Sequence, residues 1–530
     1  MKTDYIPLLT LVFFIVAFAL FPCINTQSQY LVNGNISWLL TSAQRMIEGQ
    51  SLAGHIYETN PPLSIMLYIP HVLIAKLLNT SPVDIVFATT FFFVLVSTSV
   101  TALILRYITN IENTIKPVII AVYLISITIA TTLSFSEREH YIIMMMLPFI
   151  LCQFAINNKQ HIPNALLIPV FIIGSIGILI KPHYGIVPTV LMFQRIYQDK
   201  TVTSFFKIDF WVLFATTCAY LILLGTIFLE YSTTIFPDVV NLYLTNDQIA
   251  TTFKTGELYI TCFILMPVLE FFRTDLTKEQ KKFLFLFYSS SLLCLIPYFA
   301  QMKGYYNHLI PAYVFFLCGL SLSIAFRTAQ IWKDKTIMHL LVPCIAILSF
   351  LNVFSALSKN VITQEEIKSL PITRYIEDNC QKPCTFFAFH SDIELFNPTA
   401  IAMGYTHGTR FPSYWFLPQL IISLENNHGQ TPYYQSLKDK YLHLVAEDLE
   451  YYKPSLLLIR KDVQINKDIH FDYVAFFEKN PQFNKIMKDS YTLIETKEFD
   501  RGLYFKGTTL GGVSMMEFDI YKRTSTALNP

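Results

Sequence analysis

Charge is scarce in this chain. Asp, Glu, Lys and Arg make up 15% of its 530 residues, where a soluble domain carries about 25%. The formal net charge is only +1, so the electrostatic footprint of a nucleic-acid partner is missing. Also missing are a Walker loop, a dinucleotide fingerprint, an internal repeat and residues at metal-ligand spacing. Nucleotide chemistry therefore has no signature here and no cofactor is called for, although a divalent metal stays compatible with the chain. Asp and Glu are almost absent from the centres of the apolar runs, Glu270 lying near one end. That weighs against a transporter, which places ionisable groups near the midplane.

Apolar residues fill the space that charge leaves. They account for 53% of the chain, and runs of spanning length recur from residue 5 to about 357, the pattern of a polytopic membrane protein. Segment 5–24 follows a single lysine and lacks an A-x-A-like cleavage site, so it reads as a retained first helix. The further candidate spans are 84–106, 117–133, 141–156, 165–180, 184–196, 209–229, 257–272, 283–300, 309–326 and 337–357. Together they predict about eleven transmembrane helices in an all-α domain over 1–357. Segment 62–78 contains Pro70, His71 and Lys76 and reads as a helix lying at the interface.

Loops 106–116, 157–164, 195–207, 273–282 and 327–336 hold 13 Lys and Arg, against five in 25–61, 134–140, 181–185, 230–256 and 301–308. The first set is expected on the cytoplasmic side and the second outside. Residues 358–530 carry many charges and no spanning run. A helix-like 439–452 and strand patterns at 384–390, 455–460, 502–506 and 516–521 predict a small extracytoplasmic α/β domain. Seven of the nine cysteines lie in or beside the membrane; Cys380 and Cys384 fall in the outer domain, where a disulfide is chemically allowed.

The polar islands on the expected outer side carry the chemistry. The first loop, 25–83, holds Arg45, Glu48, His55 and Glu58 before Asn60-Pro61-Pro62. Two prolines explain a stopped helix but not the acid, which is costly near a bilayer unless used. The second island is Ser136-Glu137-Arg138-Glu139-His140, the third Lys181-Pro182-His183-Tyr184-Gly185, and the fourth runs from Gln301 through Lys303, Gly304 and Tyr306 to His308. Ser136 with Glu139 has capping-box spacing, and a lysine at a helix end often snorkels to headgroups. Taken together, Arg138, His140, Lys181, His183, Lys303, Tyr306 and His308 stand opposite the carboxylates of Glu58, Glu137 and Glu139. This suits a reaction on a lipid phosphate: cations hold the phosphate while a carboxylate takes the proton from an acceptor hydroxyl. Glu58 is the expected general base, with Glu137 or Glu139 in support.

At these residues the chain resembles the GT-C superfamily of membrane glycosyltransferases that use polyprenyl-phosphate sugars, in the mannosyl- and aminoarabinose-transferase neighbourhood of bacteria. The resemblance covers the membrane part, anchored on Glu58–Leu63, Arg138-Glu139-His140, Lys181-Pro182-His183 and Lys303-Gly304 with His308. It implies transfer of one sugar, usually with inversion, on the outer face of the bacterial cytoplasmic membrane. The partners it implies are a polyprenyl-phosphate-linked sugar, a lipid, glycan or protein acceptor, and membrane lipids. One departure stands out. Relatives place an aspartate early in the first loop, where this chain reads Asn33-Gly34-Asn35, and an amide cannot serve as a general base. The competing readings are a transporter or flippase of a lipid-linked or anionic solute, a ligase moving whole glycans, and a catalytically silent scaffold.

Overall fold

In hydrocarbon every backbone polar group must be satisfied internally, so a long apolar segment becomes a helix. Five described helices are long and apolar enough to cross a membrane: Pro82–Tyr107, Arg138–Asn157, Ile208–Gly225, Lys278–Gln301 and Tyr306–Arg327. The computed structural model describes residues 32–113, 115–131, 134–244, 261–331, 363–426, 432–461, 463–465, 469–500 and 515–524. Candidates 5–24 and 337–357 and the start of 257–272 lie outside these residues, as does the expected strand 502–506.

Five is fewer than the roughly eleven spans expected, and local chemistry accounts for part of the difference. Lys116–Ile125 gives way to a wide π turn at Ser126–Ala130, so the 117–133 run is not one regular helix. The helix Asn164–Ile180 stops at Lys181, whose successor is Pro182. Proline pushes the residue before it out of helical backbone, and Lys181 is extended, at φ −136° and ψ 90°. After a short 3-10 turn, Pro182–Gly185, the chain restarts as Ile186–Asp199, only 14 residues long.

The described residues group into two compact units. One comprises 84–227 and 261–331, and the other 32–83, 228–244 and the residues from 363 onward. The helices of the first unit differ sharply in burial. The apolar window of Arg138–Asn157 is 94% buried, that of Ile208–Gly225 only 11%. The former is thus the central helix, and the latter shows an apolar surface of the kind that lipid covers.

The second unit holds a mixed sheet. Its strands, with a separate two-stranded pair, are Thr385–Phe389 (β1), Thr406–His407 (β2), Leu456–Arg460 (β3), Val463–Gln464 (β4), His470–Phe471 (β5), Tyr491–Asp500 (β6) and Met515–Arg523 (β7). The five-stranded sheet runs β2-β1-β3-β7-β6; β1 pairs in parallel with β2 and β3, while β3–β7 and β7–β6 are antiparallel. Phe386–Phe389 of β1 and Leu456–Ile459 of β3 are continuous apolar runs, as expected of strands covered on both faces. β6 is largely exposed, and with Glu495, Lys497, Glu498 and Asp500 it carries no buried-strand pattern. Cys380 and Cys384 form a disulfide just ahead of β1.

Two histidines sit against this sheet without charge. The Ala388 backbone N–H donates to His407 Nε2 at 3.4 Å, and the Asp392 N–H donates to His390 Nδ1 at 3.2 Å. A ring nitrogen that accepts must be unprotonated. Burial, then the nearby Arg45 cation, lowers the pKa of His407 from 6.5 to about 3, and burial holds His390 well below its ordinary value. The unfolded chain takes up these protons near pH 6.5 and the fold does not. This contribution to stability is therefore full above about pH 6.5 and is lost as pH falls below it, for His407 down to about 3, at up to ~1.4 kcal/mol per pH unit for each ring. Amide exchange across β1 and β3 of the full-length protein, corrected for intrinsic rates, should show easier opening at pH 5 than at pH 7.5. His407→Gln should flatten that slope; an unchanged slope in both His407→Gln and His390→Gln would count against the account.

Candidate active site

The second island begins with a tight turn rather than a cap. Ser136 takes a left-handed φ of 69°. Its N–H donates to His140 Nδ1 at 3.2 Å, and its hydroxyl pairs with Thr90 at 2.8 Å. The capping box expected between Ser136 and Glu139 is therefore not formed; the helix starts one residue later, with Glu137 in the N-cap position. Glu139 is left without a capping duty. Its carboxylate, fully buried, forms an ion pair with Lys181.

Lys181 is presented by the Lys-Pro step that ends its helix. Its ammonium also lies 3.1 Å from His308 Nε2, and His308 Nε2 lies 3.6 Å from Glu139 Oε1. His308 belongs to the 3-10 turn Tyr306–Leu309, and its carbonyl accepts the Tyr184 hydroxyl at 3.1 Å. The connection before that turn contains Gly304 at φ 67°, a left-handed conformation suited to glycine. Asn307, which no sequence argument singled out, bridges the two acids. Its amide donates to Glu137 Oε2 at 2.9 Å and to Glu139 Oε1 at 3.2 Å. A polar residue inside an otherwise aromatic and basic island was the only signal that could have found it.

The structure thus brings Glu137, Glu139, Lys181 and His308 together through direct contacts and Asn307. Arg138 and Lys303 are buried in the same unit, at 5% and 3% exposure. His140 is buried too, but one of its ring nitrogens serves the Ser136 turn, and it packs on Phe135 with ring centroids 4.9 Å apart. His183 is exposed and pairs with the Gln301 amide at 3.2 Å. Tyr306 is half-buried. Ammonium, imidazole and carboxylate within hydrogen-bond reach can hold an anion, hold a hydroxyl, or pass a proton.

Glu58 belongs to the other unit. Its carboxylate accepts from Trp38 Nε1 at 2.7 Å, from the Asn60 backbone at 2.8 Å and from the Asn60 amide at 2.5 Å. These bonds tie down the turn that leads into Pro61-Pro62. The Asn33-Gly34-Asn35 segment has a structural occupation as well. Asn33 caps the helix Gly34–Ile47, its side chain accepting from Ile36 N–H at 3.0 Å. A Cβ on the next residue, Gly34, would collide with the Ile393 carbonyl, so a side chain is excluded there.

No family model matches the chain, and no curated protein matches it in sequence. Solved structures do match. ArnT from Cupriavidus metallidurans bound to undecaprenyl phosphate is similar at a TM-score of 0.48 and 10% identity, over 77% of this chain and 86% of that one. The apo state of the same protein is similar at the same TM-score and identity, over 87% of this chain and 96% of that one.

A buried ion pair broken on one side leaves an uncompensated charge, at a cost of about 3–5 kcal/mol. Lys181→Met should lower thermal stability in detergent by that order. Lys181→Met combined with Glu139→Gln should recover most of the loss. Additive losses in the double variant would show that the two side chains do not depend on each other.

Proposed function

We propose that this protein is an integral membrane glycosyltransferase that moves a sugar from a polyprenyl-phosphate donor to an acceptor hydroxyl. The observation that carries the reading is the buried Glu139–Lys181–His308 cluster, held at the ends of apolar helices in a unit that also buries Arg138 and Lys303. A soluble substrate would not need its charged site at a bilayer boundary; a lipid phosphate does. The cations bind the donor phosphate and stabilise the charge that grows on it. A carboxylate removes the acceptor proton, the acceptor oxygen bonds to the anomeric carbon, and the carbon–oxygen bond to phosphate breaks. Polyprenyl phosphate leaves with the electron pair.

The cation bias of the loops supports a site on the outer face of a bacterial cytoplasmic membrane. The Cys380–Cys384 disulfide supports an oxidising compartment for the second unit. Glu58 is proposed as the general base, with Glu137 as the alternative.

The test is sugar transfer by purified protein from polyprenyl-phosphate donors. A charge-assisted bond to phosphate is worth about 1.5–3 kcal/mol, so Arg138→Gln or Lys303→Gln should weaken donor use roughly ten- to a hundredfold. Unchanged donor affinity in both variants would reduce them to boundary cations. Glu58→Gln keeps shape but loses basicity, and turnover should fall by roughly 10²–10⁴ with little change in donor binding. If Glu137→Gln abolishes transfer while Glu58→Gln does not, the base is Glu137.

A further inference from the structure

The charged cluster is not satisfied on all sides, and what is left open has a specific chemistry. Lys181 Nζ, ion-paired to Glu139, donates to His308 Nε2. That nitrogen therefore carries no proton, and the neutral ring carries its hydrogen on Nδ1. His308 Nδ1 is buried and has no hydrogen-bond partner among the described residues. The same holds for Glu139 Oε2, the oxygen that faces neither Lys181 nor Asn307. Both side chains are more than nine-tenths buried. An orphaned donor and an orphaned acceptor thus stand on two side chains whose other polar atoms lie 3.6 Å apart. Leaving either unmet in a closed interior costs about 1–3 kcal/mol, and native proteins rarely leave such groups without a purpose.

The two vacancies define the group that would fill them. It must donate a hydrogen to a carboxylate oxygen and accept one from an imidazole N–H. A phosphodiester fails, since it has no hydrogen to give and would set its own negative oxygens against Glu139. A hydroxyl does both at once. We propose that Glu139 and His308 form a sugar subsite that grips one hydroxyl of the donor's glycosyl group, while Arg138 and Lys303 serve the phosphate. Lys181 is the hub: its ammonium neutralises Glu139 and fixes the His308 tautomer, so it sets the polarity of both vacancies. This inference rests on the glycosyltransferase reading and assigns His308 to the sugar rather than to the phosphate.

The experiment compares two kinds of lipid on the full-length protein in nanodiscs. One is decaprenyl phosphate; the others are decaprenyl-phosphate mannose and decaprenyl-phosphate arabinose. Glu139→Gln should weaken binding of the preferred sugar-bearing lipid about ten- to a hundredfold, the range for a hydrogen bond to a charged group, and His308→Phe about two- to tenfold, the range for a neutral one. His308→Phe should leave affinity for decaprenyl phosphate unchanged, and Glu139→Gln, which removes a negative charge beside the phosphate, should hold or raise it; neither variant should lower it. Equal losses for both kinds of lipid would overturn the sugar subsite, because the pair would then serve the phosphate or only the fold. No loss for either would overturn it too, with buried water as the occupant. Wild type that binds neither kind of lipid would overturn the glycosyltransferase reading and the subsite with it. A measurement on unmodified protein guards against misfolded variants. Among monodeoxy analogues of the preferred donor, one position should lose about ten- to a hundredfold in affinity. If every deoxy analogue binds like the parent, no hydroxyl is gripped and the inference is wrong.

Discussion

A salt bridge in a closed interior, between Glu139 and Lys181, is the constraint on which the first unit depends. Removing both ions from water costs several kcal/mol each, and attraction offsets this only with good geometry and extra hydrogen bonds. The helices supply part of the compensation. Glu139 lies in the first turn of Arg138–Asn157 and Lys181 at the C-cap of Asn164–Ile180. An N-terminus favours an anion and a C-terminus a cation, so each charge occupies the end that stabilises it. Asn307 and His308 supply the rest. Because the pair joins the start of one helix to the end of the next, it also fixes how far the two slide along each other.

Proline chemistry decides where those charges can stand. Pro182 forces Lys181 out of helical backbone, and a helical residue at that point would carry the lysine round the helix axis. Pro61-Pro62 restricts the backbone that follows Glu58 in a comparable way, with the carboxylate bonded back to Asn60. In both places the motif that looked chemical in the sequence is also mechanical.

Much of the fold was legible because apolar length and continuity have few structural outcomes. Pro82–Tyr107 and Tyr306–Arg327 follow from hydropathy alone, and β1 and β3 follow from unbroken apolar runs. The failures share a cause: they depend on where a side chain points. Ser136 and Glu139 have capping-box spacing, yet the left-handed backbone at Ser136 turns the hydroxyl to Thr90. The Trp38–Glu58 bond joins residues far apart in sequence, and no periodicity announces it. His140 and His183 look alike in the sequence, but one lies buried against Phe135 and the other is exposed beside Gln301. For the site, residue types and rough location were readable; the partner of each charge was not.

Charge counting gives the proposed chemistry a direction. The three islands of the first unit contain Arg138, Lys181 and Lys303 against Glu137 and Glu139, a surplus of one positive charge while the histidines are neutral. A polyprenyl-phosphate sugar is a phosphodiester with a single negative charge, and it brings that sum to zero. The leaving polyprenyl phosphate is a monoester, which carries about −1.5 to −2 near neutral pH. In a low-dielectric site an uncancelled charge is expensive. On the proposed chemistry, the five side chains that would accept the donor as a neutral assembly would hold its lipid product with a negative excess. Such a site would favour the substrate over the product by electrostatics alone, and this bias would require both carboxylates: without Glu137 or Glu139 the cations would suit the departing phosphate better than the arriving donor.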